Sequence, residues 1–334
     1  MNTQNYILGV DGGNSKTDYL LCTTDGSFVD ILREPTCSHE HMGYEKMQIT
    51  MGEHLSKLFG KNNITVKNIS AAAFGLAGAD LPDQLTELNK RIVNLGFEKY
   101  ALANDGILGV KAVAEAGICA VNGSGTVVVG IDEKGTVLQV GGIGPLSGDY
   151  AGGYHIARQG ILAVYSKYFR GGKDTVVAQE MLKLLSAGSP NDLPTAISEY
   201  RFDADSAKTM IQLIDKAAAS GDAVSAWILE SAGANCGEGV AGCIKNLSFE
   251  NEITIIKAGS IWNKVKYSGL GKSFEDTIRS TVPNKIRIEL LQSPPALGAV
   301  FWAKEISGTR VDDMYRKTMR DFLSAEKYSE LVKE

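Results

Sequence analysis

The 334-residue sequence lacks the features that mark several classes of protein. No apolar run approaches the ~20 residues that a membrane-spanning helix needs, and the mean hydropathy is −0.06. No basic region precedes the first apolar stretch, and Asp11 follows it at once, so we expect no signal peptide. The net charge is −5 and lysine and arginine form no block, which argues against a large nucleic-acid surface. We therefore expect a cytoplasmic protein that binds neither membranes nor nucleic acids.

The sequence also lacks paired cysteines and long linkers. Its five cysteines are an odd number without a CxxC pair, which favours reduced thiols. Hydrophobic residues make up 44% and charged residues 22% of the chain, as in ordinary globular proteins. The length predicts about two domains, and because no Pro-rich or Ser-rich linker is present, we expect them to share a central cleft.

Glycine is abundant, with 37 residues that cluster in turns. An apolar strand at 6–10 precedes the glycine turn at 11–17, and further strands follow at 19–22 and 27–32. The same order of strand, glycine turn and strand returns from residue 117, with a turn at 122–126. The pattern predicts an internal duplication, against the alternative of two unrelated hairpins.

Helical patterns dominate after residue 144, at about 149–169, 174–185, 204–220 and 222–246. Strands are expected at 253–257 and 286–290, and helices from Ala296 and Val311. Strands that alternate with helices in this way indicate an α/β fold.

Three glycine turns have the composition of a phosphate-binding loop. Glycines allow backbone N–H groups to approach an anion, and hydroxyl and ammonium groups add donors. The residues are Gly12, Gly13, Asn14, Ser15, Lys16 and Thr17 in the first turn, Gly123, Ser124, Gly125 and Thr126 in the second, and Gly259 and Ser260 in the third. Each turn follows a strand, at a sheet edge where ligands collect in α/β proteins.

Two other glycine patterns do not fit their usual context. Residues 237–242 match GxGxxG but lie inside a helical stretch, which favours close helix packing or room for a flat ring over a dinucleotide loop. Residues 271–273 end like a P-loop, but Lys266 stands where that motif needs glycine.

Three aspartates follow or precede these turns. Asp11 ends the first strand, Asp105 follows a strand at 99–103, and Asp149 precedes a helix. A carboxylate facing a phosphate loop can hold Mg²⁺ through water, and another can accept the proton of an attacking hydroxyl. A helix N-cap is the structural alternative for Asp149 and for Asp105, and we favour Asp105 as the base.

Together these motifs resemble the sugar kinase/heat-shock chaperone/actin superfamily, and within it the N-acetylglucosamine kinase and BadF/BadG/BcrA/BcrD-type ATPase group. The resemblance rests on residues 10–17, 75–80, 104–106, 122–126, 141–153, 258–262 and 295–299. It implies two duplicated ribonuclease-H-like domains, as in the actin-like ATPase fold. Residues 1–118, joined by a C-terminal helix at 311–330, would form the sugar and phosphate side. Residues 119–310, with a helical insertion, would form the nucleotide side.

The resemblance further implies an ATP-dependent kinase that acts on an amino sugar, most simply N-acetylglucosamine or a related N-acylated hexosamine. Asp105 matches the catalytic base and Asp11 the magnesium-associated carboxylate, while Ser15 and Ser124 match phosphate contacts. The glycine turns and Asn263 would bind ATP. The sugar would be bound by Ser38, His39, Asn104, Asp105, Gly142, Ile143, Gly144 and Asp149. Related kinases often form dimers, so a homodimer is compatible with the resemblance.

Three positions depart from the acetylglucosamine kinases. Ser38 replaces an Asn that contacts sugar hydroxyls, Ile143 replaces an aromatic residue, and Tyr150 replaces an acid. Because sugar discrimination depends on such polar partners, the phosphate machinery transfers better than the identity of the sugar.

Two other functions belong to this superfamily. An activator of 2-hydroxyacyl-CoA dehydratases would carry an iron–sulfur cluster between two subunits, for which Cys119, Cys236 and Cys243 are the candidate thiolates. A sugar-sensing protein would keep the fold without catalysis. Cys37, His39 and His41 lie in one short loop, which we interpret as part of a substrate loop or surface and not as a zinc site.

Overall fold

The computed structural model describes residues 5–331. The first five strands are β1 Tyr6–Gly12, β2 Lys16–Thr23, β3 Phe28–Pro35, β4 Ile69–Leu76 and β5 Tyr100–Ala103. The next five are β6 Gly117–Asn122, β7 Thr126–Ile131, β8 Val137–Gly141, β9 Ile253–Ala258 and β10 Ile286–Leu290.

Most of the helices lie between strands along the chain. Those of the first half are α1 His39–Met42, α2 Tyr44–Lys61, α3 Pro82–Asn94, α4 Ile107–Val113 and α5 Gly153–Phe169. Those of the second half are α6 Ala178–Leu184, α7 Leu193–Glu199, α8 Ala204–Ala219, α9 Ala223–Asn246, α10 Ser260–Lys264, α11 Ser268–Thr281, α12 Pro295–Ser307, α13 Asp313–Phe322 and α14 Ala325–Leu331. Within residues 5–331, no helix combines the length and apolarity needed to span a membrane.

The strands form two five-stranded sheets. The first has the order β3-β2-β1-β4-β5, in which β1 pairs antiparallel with β2 and parallel with β4. The second has the order β10-β9-β6-β7-β8. When the strands of each sheet are numbered from its own first strand, the first order is third, second, first, fourth, fifth, and the second order is the same when it is read from its β8 edge. The predicted duplication is therefore confirmed.

The chain divides into two compact units, each with one sheet. The first comprises the chain up to Cys119, Gly130–Gly135 and the chain from Glu289 onward. The second comprises Ala120–Val129 and Thr136–Ile288.

The core of the first unit lies on both faces of β1. Leu8 and Val10 point into an apolar cluster that includes Met51 of α2. On the other face Gly9 lies against α12, where an added Cβ would stand 2.6 Å from the amide nitrogen of Val300. Burial on both faces explains why β1 is a nearly continuous apolar run.

Helix α12 corrects the predicted domain boundary. Residues 119–310 were expected to form the second domain, but α12 packs against β1, β4 and α4 in the first unit. Chain order concealed this, because α12 follows the last strand of the second sheet directly.

Two further differences concern helix starts. Helix α5 begins at Gly153 and not at 149, and the short helix α4, directly after Asp105, was not predicted.

The GxGxxG pattern lies within α9, as expected. An added Cβ at Gly237 would stand 2.7 Å from the carbonyl oxygen of Phe274 in α11, so close helix packing explains that glycine.

Candidate active site

Asp11 lies in the first unit, one residue before the end of β1. In the β1–β2 hairpin it pairs with Asp18 across the strands. Burial, together with the negative charges of Asp105 and Asp18, raises the pKa of Asp11 to about 8. Three carboxyl groups thus share one small region beside the first glycine turn.

Asp105 lies between the end of β5 and the start of α4. An added Cβ at Gly13 would stand 3.9 Å from Oδ2 of Asp105, which places the carboxyl group of Asp105 beside the first glycine turn. Burial, and after it the charge of Asp80, raises the pKa of Asp105 to about 6. Gly106 holds the N-cap position of α4, which has no side-chain capping bond, so the capping alternative for Asp105 is not observed.

Asn104 links the turn that carries Asp105 to Asp80, which follows β4. Its Nδ2 donates to Oδ1 of Asp80 at 2.7 Å, and its Oδ1 accepts from the amide of Gly106 at 2.8 Å. These two bonds order the turn that carries Asp105, and the predicted sugar contact of Asn104 stays a prediction. Asp80 was not among the predicted site residues, although it ends one of the segments that carry the family resemblance.

Two of the predicted sugar-binding residues of the first unit, Ser38 and His39, lie at the start of α1. Ser38 is the N-cap of α1, its Oγ accepting from the amide of Glu40 at 3.3 Å. His39 stacks on Tyr44 with ring centroids 4.5 Å apart. An added Cβ at Gly78 would stand 2.6 Å from Cε1 of His39, so this ring borders the segment that ends in Asp80.

The polar side chains of the first glycine turn differ in their exposure to solvent. Asn14 and Ser15 are exposed, and Nδ2 of Asn14 donates to Oε2 of Glu40 at 2.9 Å. Thr17 is fully buried, and its Oγ1 accepts from the amide of Cys37 at 3.2 Å. Thr17 therefore faces the interior, which differs from the predicted ATP contact.

Lys16 belongs to an ion-pair network on β2 and β3. Its Nζ lies 2.9 Å from Oδ2 of Asp18, and Arg33 donates to both oxygens of Asp18 at 2.6 and 2.7 Å. These hydrogen bonds and charges hold the pKa of Asp18 below its usual value despite its burial. Sequence reasoning missed Asp18 and Arg33, because their meeting depends on strand register.

In the second unit the two remaining glycine turns come together. Gly259 has φ of +104°, and an added Cβ would stand 2.4 Å from the carbonyl oxygen of Asn122. The amides of Gly153 and Tyr154 donate to the carbonyls of Gly123 and Ser124 at 2.8 and 3.0 Å. The start of α5 thus fixes the second turn, in which Ser124 and Gly125 are exposed. Thr126 instead closes it, since its Oγ1 donates to the carbonyl of Val121 at 3.1 Å.

A cavity of about 560 Å³ opens beside these turns within the second unit. Ser124, Ser260 and Asn263, all predicted to bind ATP, line it together with apolar Ile211 and Ile261. Its volume and mixed lining suit a nucleoside. Lysines 208, 264 and 266 lie on its border.

The segment Gly141–Gly148 forms a glycine-rich loop ordered by Asp149. The carboxylate Oδ2 of Asp149 accepts from the amide of Gly144 at 2.6 Å. Gly152, not Asp149, is the N-cap of α5, so the capping alternative for Asp149 is wrong. Ile143 is 61% exposed in this loop, while Gly142, Gly144 and Asp149 line a smaller cavity of about 280 Å³.

Asp11 is the residue that fits a magnesium ion. Its carboxyl group is a hard oxygen donor, and the adjacent negative charge of Asp105 would be relieved by a dication. Within residues 5–331 no group of three or more histidine, cysteine and acidic side chains is placed to hold a metal ion.

The five cysteines are buried and none belongs to a disulfide. Cys119, Cys236 and Cys243 are at most 2% exposed. Burial raises the pKa of Cys236 to about 12. A cluster shared between subunits needs accessible thiolates, so these thiols argue against the dehydratase activator.

Comparison with known proteins places the chain in a family. The model of the BadF/BadG/BcrA/BcrD ATPase family matches residues 8–303, and the chain belongs to that family, which confirms the resemblance. An N-acetylmuramic acid/N-acetylglucosamine kinase of Clostridium acetobutylicum is 26% identical over 90% of this chain and 98% of its own length. An N-acetyl-D-glucosamine kinase of Dictyostelium discoideum is 23% identical over 74% of this chain and 81% of its own length.

Solved structures confirm the actin-like ATPase fold. A protein from Chromobacterium violaceum, provisionally assigned as an N-acetylglucosamine kinase, superimposes with a TM-score of 0.66 at 19% identity, over 90% of this chain and 99% of its own. A ROK family glucokinase from Streptomyces griseus, solved with glucose and AMPPNP, gives a TM-score of 0.50 at 14% identity, over the same shares of the two chains. At these identities the likeness shows the fold alone.

Proposed function

We propose that the protein is an ATP-dependent kinase that phosphorylates a hydroxyl of an N-acylated amino sugar. The observation that carries the proposal is the carboxyl pair of the first unit, Asp11 and Asp105, beside a glycine turn. The names of the two kinase relatives support the sugar class, since both act on N-acetylglucosamine. ATP use and five unbridged cysteines are compatible with a cytoplasmic protein.

Asp105 is the proposed general base. Phosphoryl transfer has a loose transition state, so the protein mainly positions the hydroxyl and receives its proton. A carboxyl group with a pKa of about 6 is ionised at neutral pH, yet is more basic than an ordinary aspartate. The Asn104 bonds to Asp80 and Gly106 hold this carboxyl group in place.

The nucleotide would be bound by the second unit. The amides and hydroxyls of the turns at 123–126 and 259–260 are the donors proposed for the phosphates, and the 560 Å³ cavity would take the nucleoside. Asp11 is proposed to hold Mg²⁺ through water. When bound, the ion would neutralise charge on the phosphates.

The decisive experiment is a coupled ADP-release assay over glucosamine, N-acetylglucosamine, N-acetylmannosamine, N-acetylmuramic acid and glucose. We expect sugar-dependent ADP release with an N-acylated sugar. Asp105→Asn keeps the shape of the side chain but removes its basicity, so turnover should fall ~10²–10⁴-fold while sugar binding persists. The exposed Asp83→Asn in α3 is the matched control and should behave as the parent.

Two results would contradict the proposal. Sugar-independent ADP release across the whole panel would show an ATPase of another kind. Near-parent turnover of Asp105→Asn, together with an inactive Asp149→Asn, would assign the base to Asp149 instead.

A further inference from the structure

The last helix of the first unit places a tyrosine beside the ion-pair network of β2 and β3. Tyr328, in α14, is 4% exposed, and the guanidinium of Arg33 lies over its ring, with Cζ 5.6 Å from the ring centroid. Arg33 in turn donates to both oxygens of Asp18, and Asp18 pairs with Asp11 across the β1–β2 hairpin. Helix α14 therefore packs on the strand position that faces the proposed magnesium carboxylate.

The hydroxyl group of Tyr328 is buried without a hydrogen-bond partner. It lies beside Asp18 and Arg33, but within residues 5–331 no group meets it at hydrogen-bonding geometry. Burial, and after it the negative charges of Asp18 and Asp11, raise the pKa of Tyr328, so the hydroxyl keeps its proton and is a donor at neutral pH. Because a buried donor without a partner costs free energy, we expect its partner to lie outside the polypeptide chain.

The two carboxylates whose charges act on this hydroxyl differ in their own partners. Both oxygens of Asp18 accept from Arg33, and Lys16 adds a second cation at 2.9 Å. Asp11 forms no ion pair and accepts no side-chain hydrogen bond within residues 5–331, although Lys16 and Arg33 act on it from a distance. The donor without a partner and the carboxylate without a donor thus lie on either side of a carboxylate that is already satisfied.

We propose that Tyr328 is a positioning residue for the magnesium site, its hydroxyl holding the carboxylate of Asp11 through one bridging water. The proposal rests on the proposed function, in which Asp11 binds Mg²⁺ through water, and extends that site to α14. Carboxylates that serve a metal are usually fixed by outer hydrogen bonds of this kind. A bridging water is nearly as favourable as a direct bond and spans a longer distance.

Tyr328→Phe in the full chain tests this role, because it removes the hydroxyl and keeps the ring under Arg33. Dissociation constants for AMPPNP are measured by calorimetry without sugar, once in excess Mg²⁺ and once in EDTA, and melting curves show that the variant is folded. We expect binding with Mg²⁺ to weaken ~3–10-fold, the range of one hydrogen bond, and binding in EDTA to equal that of the parent. A purely structural role would weaken both bindings alike.

Tyr315→Phe is the matched control. Tyr315 lies in α13, in the same C-terminal segment, and its hydroxyl donates to the carbonyl of Gly26 at 2.7 Å. Gly26 belongs to the turn between β2 and β3, at the other end of β2 from the first glycine turn. This variant therefore loses a bonded tyrosine hydroxyl away from Asp11, and should keep the parent ratio of the two dissociation constants.

The possible results separate the role of Tyr328 from the kinase function. An unchanged ratio in Tyr328→Phe, or an equal loss with and without Mg²⁺, would overturn the role of Tyr328. A parent protein that binds AMPPNP equally well in Mg²⁺ and in EDTA would overturn it together with the magnesium site of Asp11. Because these titrations contain no sugar, a parent protein that phosphorylates no sugar would refute the proposed kinase function without deciding the ratio.

Discussion

At the scale of single residues, the charge of Asp80 adds to the effect of burial in raising the pKa of Asp105. Asp105 must be ionised to accept a proton, and its pKa is raised to about 6, so activity should be lost as the pH falls through about 6. Asp80→Asn removes the negative charge that contributes most to this rise and should lower the pKa of Asp105. The acidic limb of the kcat/KM profile should then move to lower pH, which a pH–rate series on both proteins measures.

The same series contains its own control. The exposed Asp83→Asn, three residues further along the chain, should leave the acidic limb where the parent has it. A purely structural role for Asp80 would lower activity equally at every pH. An acidic limb that does not move in Asp80→Asn would therefore remove Asp80 from the tuning of the base.

Single residues also show how far motif reasoning extends. Asp11 and Asp105 follow strands and precede turns, and such local signals are visible in the sequence. The Asp80–Asn104 hydrogen bond is not, because it needs β4 and β5 to lie side by side in parallel register. The burial of Thr17 is not visible either, because it depends on β2 beginning at Lys16, within the glycine turn itself.

At the scale of elements, the first glycine turn can be tested apart from the fold. An added Cβ at Gly13 would meet its nearest atoms at 3.6 and 3.9 Å, which are ordinary contact distances, so the turn itself can accept a side chain. A bulkier side chain should nevertheless block the approach of phosphate to the backbone. We expect Gly13→Val to keep its melting temperature but to bind MgATP more weakly in calorimetric titration.

Gly60→Val in α2 is the matched control for this change. A Cβ added at Gly60 would have no atom within 4 Å, and Gly60 lies far along the chain from the glycine turns. The nucleotide affinity of Gly60→Val should therefore equal that of the parent. If folded Gly13→Val bound MgATP as the parent does, the first turn would have no part in phosphate binding.

A buried ion network joins three helices of the first unit. Glu305 of α12 accepts from Lys111 of α4 at 2.9 Å and from Arg316 of α13 at 2.7 Å. Arg316 also donates to the carbonyl of Lys111. Arg316 is 1% and Lys111 5% exposed, so the loss of the charge on their shared carboxylate would leave two buried cations without this counter-ion.

Glu305→Gln should therefore destabilise the first unit by about 3 kcal/mol, the usual cost of breaking a buried ion pair. Hydrogen exchange of the β1 and β4 amides measures this loss. Asp276→Asn in α11 removes one partner of an exposed pair and should change stability by less than ~1 kcal/mol. Equal exchange in Glu305→Gln and the parent would show that the network does not stabilise these helices.

At the scale of the whole molecule, the duplication was predictable and the division of the chain was not. The two glycine hairpins recur at nearly equal spacing, and this spacing comes from the repeated sheet order. The first unit, however, is assembled from three separate segments, and α12 returns to β1 after the second sheet is complete. Such a return depends on which apolar surface a helix covers, and α12 is apolar almost all round. Its sequence alone does not say which sheet it packs against.

The thiols offer a test of the whole molecule, because each of the five cysteines belongs to a buried part of the fold. Burial raises the pKa values of Cys22 and Cys236 to about 12 and raises that of Cys37, so neither access nor ionisation favours reaction. We expect a thiol-specific chromogenic reagent to modify no cysteine of the native protein within minutes and five after unfolding in denaturant. Lys134→Cys, in an exposed turn, is the positive control and should add one thiol that reacts at once. Fast reaction of two or more native thiols would contradict this packing and would make the iron–sulfur activator a candidate again, since thiolates able to hold a cluster must be accessible.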